Sequence, residues 1–213
     1  MEPDFWHARW QTKNILGFHE GKANAFLVKH FSRLPLAPGA RVFVPLCGKT
    51  RDIAWLLGQG LRVAGAELSR IAVEELFAEL EVVPQVTQDG PLTRFSAPGL
   101  DILQGDIFAL TRDALGPVDA VWDRAALVAL PQDMRARYAP HLVALTDGAP
   151  QLLVCFEYDQ SLLAGPPFSV PPQEVRTLYG GDYMVAPLET APVPGGLKGQ
   201  CEAVEHVWLL ERA

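Results

Sequence analysis

The chain has 213 residues, with 25 acidic and 18 basic side chains and a net charge of −7 when its five histidines are neutral. A chain of this length buries about 70% of the surface its unfolded form exposes, enough for one core without disulfides or structural metal. With 49% hydrophobic and 20% charged residues, disorder, coiled coil and collagen are excluded, and the acidic balance without a Lys/Arg run leaves no electrostatic footprint for nucleic acid.

The opening residues MEPDFWHARW lack the basic start and apolar stretch of a secretory signal, and no later apolar run approaches ~18 residues, so no membrane contact and a cytoplasmic location are expected. Phe5, Trp6, Trp10, Phe18 and His19 place large rings on a segment with little helical or strand periodicity. They need cover, either as ordinary core docked on the sheet or as a lid formed by residues 1–20.

Lys22 to Leu34 reads as a helix, because Ala23, Phe26, Leu27, His30, Phe31 and Leu34 make one stripe. His30 on that stripe is expected to be a satisfied core histidine. Pro35, Pro38 and Gly39 end the helix, and Arg41 to Leu46 is a short apolar run of the kind buried on both faces of a parallel sheet. Thr50 can cap a helix that Gly58 and Gly60 end before a second strand, Arg62 to Glu67.

The alternation continues with a Ser69-capped helix, a turn-rich excursion, and a third strand over Leu100 to Gln104. Val118 to Trp122 and Gln151 to Phe156 are further strands, separated by a helix that Pro140 should kink. Gly165 to Pro172 must be a rigid surface loop, leading into a short helix over 173–179. Tyr183 to Leu188 and Ala203 to Leu210 complete an antiparallel hairpin across a Pro/Gly-rich loop. The expected fold class is α/β, with a doubly wound, mostly parallel seven-stranded Rossmann-like sheet in a single domain over 1–213.

Such sheets bind ligands beyond the carboxyl ends of their strands, where strand order reverses. Glu67 ends the second strand, where a carboxylate can accept both hydroxyls of a ribose; the competing reading is a helix-start carboxylate favoured by the helix dipole. The first loop, Pro45-Leu-Cys-Gly-Lys49, has neither G-x-G-x-x-G nor G-x-x-x-x-G-K-[ST], which disfavours a diphosphate and with it a nicotinamide dehydrogenase. A ribose ligand without phosphate, such as S-adenosylmethionine, asks only for the acid and an apolar cradle, which Leu46 and Gly48 can supply.

Asp106 can meet an adenine edge with Ile107 or Phe108 against the ring, though a helix cap is the simpler reading. Arg124 faces the same crevice and either pairs with Asp123 or meets an anionic group, a methionine carboxylate or a substrate. Cys47, Cys155 and Cys201 are odd in number and far apart, and read as reduced thiols. The histidines show no short ligand spacing, and no metal is expected.

The segments Phe5-Trp-His-Ala-Arg-Trp10, Gly17-Phe-His19, Val44-Pro-Leu-Cys-Gly-Lys49, Gly65-Ala-Glu-Leu-Ser69, Gly105-Asp-Ile-Phe108, Trp122-Asp-Arg-Ala-Ala-Leu127 and Gly165-Pro-Pro-Phe168 together resemble the bacterial branch of the thiopurine S-methyltransferases, nearly end to end. The resemblance implies a class I methyltransferase, usually monomeric, that binds S-adenosylmethionine and releases S-adenosylhomocysteine. It implies that Trp10, Leu46, Glu67 and Arg124 contact the cofactor, with Asp106 and Ile107 at the adenine, and that Phe18, Arg124, Pro166 and Pro167 border the acceptor. His19 could steer a proton through water.

The implied reaction is methyl transfer to the sulfur of an aromatic or heterocyclic thiol, or to a small selenium or tellurium species, with Arg124 orienting the acceptor and no obligatory base. The segment between Leu188 and Val204 does not align with the family's basic acceptor-side loop, and Lys198 is the residue that can substitute there. A small-molecule thiol or halide methyltransferase and a non-catalytic S-adenosylmethionine-binding module are the competing functions.

Overall fold

The computed structural model describes residues 3–15 and 21–212. The first element corrects the reading of the opening segment: α1 (Pro3–Gln11) is a helix. Its aromatic residues do carry helical spacing, one turn apart, with Phe5 beneath Arg9, whose guanidinium lies 4.9 Å from the ring centre, and Trp6 one turn before Trp10. Three of the four are large rings and the fourth is a cation, and so short a helix depends on packing against a neighbouring surface.

α2 (Ala25–His30) is shorter than the stripe suggests and tightens into a 3₁₀ turn over Phe31–Arg33. It starts late because the Asn24 side chain accepts the N–H groups of Phe26 and Leu27, making Asn24 the cap. His30 is bonded through Nε2 to a Glu189 carboxylate oxygen at 2.6 Å, so the ring is satisfied by an acid rather than by the apolar core.

β1 (Arg41–Val44), α3 (Arg51–Gly58), β2 (Arg62–Glu67) and α4 (Arg70–Glu79) follow as a strand–helix repeat, with Thr50 and Ser69 capping the two helices. The excursion expected to be turns is a hairpin, β3 (Gln85–Asp89) and β4 (Leu92–Ala97), joined by Gly90 and Pro91. Four of the five β3 residues are exposed, so the segment lacks the apolar alternation that marks a strand in sequence. The Asp89-Gly90 pair was the legible hairpin signal.

β5 (Leu100–Gln104), α5 (Arg112–Leu115), β6 (Ala120–Arg124), α6 (Gln132–Thr146) and β7 (Gln151–Tyr158) complete the central alternation. α6 continues through Pro140 to Asp147, whose left-handed backbone ends it. α7 (Pro172–Tyr179), β8 (Tyr183–Pro192) and β9 (Ala203–Arg212) close the chain.

The strands form one sheet in the order β3-β4-β5-β2-β1-β6-β7-β9-β8. It has nine strands rather than the expected seven, because the β3–β4 hairpin adds two antiparallel members beside β5. The core β5-β2-β1-β6-β7 is parallel, and β9 and β8 extend it antiparallel on the other side. β8 holds Pro187 and Pro192 and shifts register after Pro187, which an edge strand tolerates because its outer N–H groups need no partner.

Central strands are buried on both faces. Phe43, Val121 and Leu153 pack on one side with Tyr138 and Leu142 of α6, while Val42, Val44, Trp122 and Leu152 pack on the other with Leu27, Ile53 and Leu56. This two-sided burial explains why β1 reads as a continuous apolar run.

One acid sits inside the first of these layers. Asp123, fully buried near the end of β6, accepts the Tyr138 hydroxyl at 2.7 Å and the Leu127 N–H at 3.1 Å. Among the described residues, neutral donors thus hold both Asp123 oxygens. Burial pushes the Asp123 carboxyl up to about 6, against the opposing pull of Tyr138 and the backbone N–H groups.

A carboxyl raised in the folded state holds its proton longer than in the unfolded chain, so its contribution is complete below pH 4 and is lost as pH rises to about 6. Urea unfolding between pH 4 and 7 should show wild type losing on the order of 3 kcal/mol relative to Asp123→Asn across that window. Parallel profiles for the two proteins would contradict the assignment.

Candidate active site

β1 is flanked by β2 on one side and β6 on the other, so connections leave its carboxyl end in opposite directions and open a crevice there. Trp10, Leu46, Glu67, Asp106, Ile107 and Arg124 all line one cavity of about 250 Å³ in that crevice. They come from α1 and from the segments after β1, β2, β5 and β6, brought together across more than a hundred residues of sequence.

The loop after β1 is shaped for close approach. Leu46 has φ +45 and Gly48 φ +52, a left-handed conformation that a leucine adopts only where the surroundings impose it. A methyl group on Gly48 would lie 3.2 Å from the Trp10 indole, so the glycine lets the ring settle on the loop backbone. Trp10 is 4% exposed and forms a wall of the cavity as well as part of the packed interior, so the lid and core readings of this ring coexist.

Glu67 is buried at the end of β2. Its Oε2 accepts the Gly48 N–H at 2.8 Å and its Oε1 accepts the Ser69 N–H at 2.7 Å. Burial raises its pKa, and the N–H groups of Ser69, Gly48 and Leu68 oppose that rise. Glu67 lines the cavity, and each oxygen can accept a further hydrogen bond, which suits the two neighbouring hydroxyls of a ribose.

Asp106 does what its simpler reading required, accepting the Phe108 N–H at 3.0 Å to cap a 3₁₀ turn over Ile107–Ala109, while it also stands at the cavity rim. Ile107 is buried beneath it. Phe108 is held by the Arg137 guanidinium 4.4 Å from its ring centre and by His141, whose Nε2 lies 2.8 Å from the Ile107 carbonyl oxygen.

A second cavity, about 70 Å³, opens beside the first and shares Trp6, Arg124, Ala125 and Ala129 with it. Pro166 and Pro167 form its far wall. Their loop is strapped down on three sides: the Phe168 N–H reaches the Val128 carbonyl at 2.6 Å, the Tyr158 hydroxyl reaches the Pro167 carbonyl at 2.6 Å, and the Lys198 ammonium reaches the Pro166 carbonyl at 2.7 Å. Gly165, at φ +78, is required because a Cβ there would meet the Phe168 ring.

Arg9 and Lys198 also line this second cavity. Desolvation lowers the Lys198 pKa and the positive charge of Arg9 lowers it further. The 193–202 segment thus places a cation at the second cavity despite its Pro/Gly-rich composition. Arg9 was missed in the sequence, although its position one turn after Phe5 would have exposed it once the segment was read as a helix. Phe18 and His19 lie outside the described residues. Cys47, Cys155 and Cys201 are buried free thiols; among the described residues no group of three or more His, Cys, Asp or Glu is placed to hold a metal ion.

The sheet order, the buried carboxylate that ends β2 and the lack of a glycine-rich phosphate motif after β1 are those of a class I methyltransferase fold. Solved structures agree: a 1,6-didemethyltoxoflavin N1-methyltransferase from Burkholderia thailandensis, crystallised with S-adenosylhomocysteine, superposes with a TM-score of 0.66 at 15% identity, covering 98% of this chain and 87% of that one. A TehB-like S-adenosylmethionine-dependent methyltransferase from Corynebacterium glutamicum superposes with a TM-score of 0.58 at 12% identity, covering 99% and 98%.

Sequence comparison narrows this class. The model of the thiopurine S-methyltransferase family matches residues 1–212. Thiopurine S-methyltransferases from Xanthobacter autotrophicus, Teredinibacter turnerae and Pseudomonas aeruginosa are 88%, 50% and 47% identical to the chain, each covering all of it and 98% or more of the relative. The chain belongs to the thiopurine S-methyltransferase family, and its cofactor is S-adenosylmethionine.

Glu67→Gln should weaken S-adenosylmethionine binding about 10- to 100-fold, since the amide keeps one acceptor and turns an NH₂ group toward a backbone N–H. Titration calorimetry on a variant whose circular dichroism is unchanged tests this; unaltered affinity would remove Glu67 from the ribose site.

Proposed function

We propose that the chain transfers the methyl group of S-adenosylmethionine to the sulfur of an aromatic or heterocyclic thiol, with selenium or tellurium species as further acceptors. The observation that carries this reading is the second cavity, which adjoins the cofactor cavity and gathers Arg9, Arg124 and Lys198 around a narrow slot walled by Pro166 and Pro167. Such a slot suits a flat acceptor entering as an anion.

In this reading Trp10, Leu46, Glu67, Asp106 and Ile107 hold the cofactor, and residues 1–20 cover it. Phe18, His19, Arg124, Pro166 and Pro167 bound the acceptor. The cofactor, when bound, supplies a sulfonium whose methyl carbon is open to in-line attack. The chain's task is alignment and exclusion of water, because a thiolate meeting a sulfonium annihilates charge and needs no strong base. Arg124 orients the anion, and the surrounding cations favour the thiolate over the thiol, whose proton passes to solvent. We further propose that the chain acts as a monomer in one domain over 1–213, in the cytoplasm. No helix among the described residues is long and apolar enough to cross a membrane.

A non-catalytic binding module would need the first cavity alone, and the cationic second cavity favours an enzyme. Arg124→Lys keeps the charge but loses the planar fork. With an aromatic thiol at saturating cofactor, its kcat/KM should fall about 10-fold or more while the cofactor Kd, measured separately, changes less than threefold. A fall confined to cofactor affinity would assign Arg124 to the methionine carboxylate instead. Lys198→Met should raise the KM of a thiol bearing a carboxylate more than that of an uncharged thiol, a difference read from initial rates on the pair.

A further inference from the structure

Asp52 is the acid of the cofactor cavity to which nothing above gives a role. It is the second residue of α3, lines the cavity and is 2% exposed. Oδ1 accepts the Asn24 backbone N–H at 2.7 Å and Oδ2 accepts the Trp122 indole N–H at 2.8 Å. Both donors are neutral, and among the described residues Asp52 forms no ion pair. A buried carboxylate held only by neutral donors has given up water without gaining a counter-charge, and each oxygen retains a lone pair.

The basic residues nearest in sequence are engaged elsewhere. Lys49 pairs with Glu75 and Glu79 at 2.7 and 2.8 Å, and Arg51 pairs with Glu79 at 3.1 Å. These two cations thus pair with α4, and among the described residues none is ion-paired with Asp52.

Sheet order says which part of the ligand arrives there. Across the crevice the strands run β5, β2, β1, β6. Asp106 and Ile107 follow β5, Glu67 ends β2, Asp52 follows β1, and Trp122 lies on β6. A ligand with its adenine beyond β5 and its ribose at β2 must carry its amino-acid tail over β1 and β6. That tail holds the cofactor's only cationic hydrogen-bond donor, since the sulfonium has no N–H or O–H to give.

We propose that Asp52 receives the α-ammonium group of the cofactor's methionine moiety. Trp122 and Asn24 orient the carboxylate, and the incoming cation supplies the counter-charge that these neutral donors do not. The inference concerns cofactor binding and stands independently of the thiol acceptor, so an assay without acceptor tests it whatever the acceptor proves to be.

The experiment compares three ligands by calorimetry: S-adenosylhomocysteine, its analogue with hydrogen in place of the α-amino group, and 5′-methylthioadenosine, which lacks the whole tail. Wild type should bind the deaminated analogue about 10- to 100-fold more weakly than S-adenosylhomocysteine. In Asp52→Asn that gap should shrink to about threefold or less, with 5′-methylthioadenosine bound as by wild type. A wild type that does not distinguish the two tails, or a folded variant that keeps the full gap, overturns the proposal. Should the variant fail to fold, the wild-type complex with S-adenosylhomocysteine decides: crystallography should place the α-nitrogen about 2.7–3.2 Å from an Asp52 oxygen, and a nitrogen bonded elsewhere overturns it.

Discussion

The site hangs on the two backbone bonds that Glu67 accepts. Its carboxylate takes the Gly48 N–H of the loop after β1 and the Ser69 N–H at the start of α4, so one side chain ties together the ends of two adjacent parallel strands. Burying that acid raises its pKa, and backbone donors are what keep the charged form tolerable. The proposed ribose acceptor is therefore also a structural clamp, and the positive-φ backbone at Leu46 and Gly48 lies in the loop it holds.

Charge is sorted around this clamp. Lys49 and Arg51 pair with the acids of α4, and Asp52 and Glu67 line the first cavity. On the other side of the crevice Arg9, Arg124 and Lys198 gather about the second cavity. The first cavity mixes acids with Lys49, Arg124 and Arg137, whereas the charged residues lining the second are all cations. In the proposed reaction, collapse of charge between a cationic donor and an anionic acceptor is favoured where water is excluded.

Much of this was legible because parallel sheets leave strong local traces. β1, β2 and β7 announce themselves as apolar runs, Thr50 and Ser69 as caps, and Glu67 by its place after the second strand. The errors have local causes too. The β3–β4 hairpin is polar and exposed, so periodicity gave no signal even though Asp89-Gly90 did. α2 is shortened because Asn24 won the cap from positions nearer Lys22. α1 was obscured by its rings, which fall on two faces that meet different neighbours. Asp52, an acid in the first turn of α3, belongs to no motif that singles it out.

By itself the sequence determined the order of the central strands and helices, the class of sheet, the lack of a phosphate-binding glycine motif and, through the segments that resemble thiopurine S-methyltransferases, the cofactor. Those properties reside in contiguous stretches, where propensity, capping and spacing act over a few residues. Only the tertiary structure decided that Asp123 turns inward to Tyr138 while Arg124 faces the crevice, that Lys198 reaches the Pro166 carbonyl, and that Asp52 meets Trp122 seventy residues away. These are meetings between distant segments, fixed by sheet order and by the face each residue presents, and no local pattern encodes them.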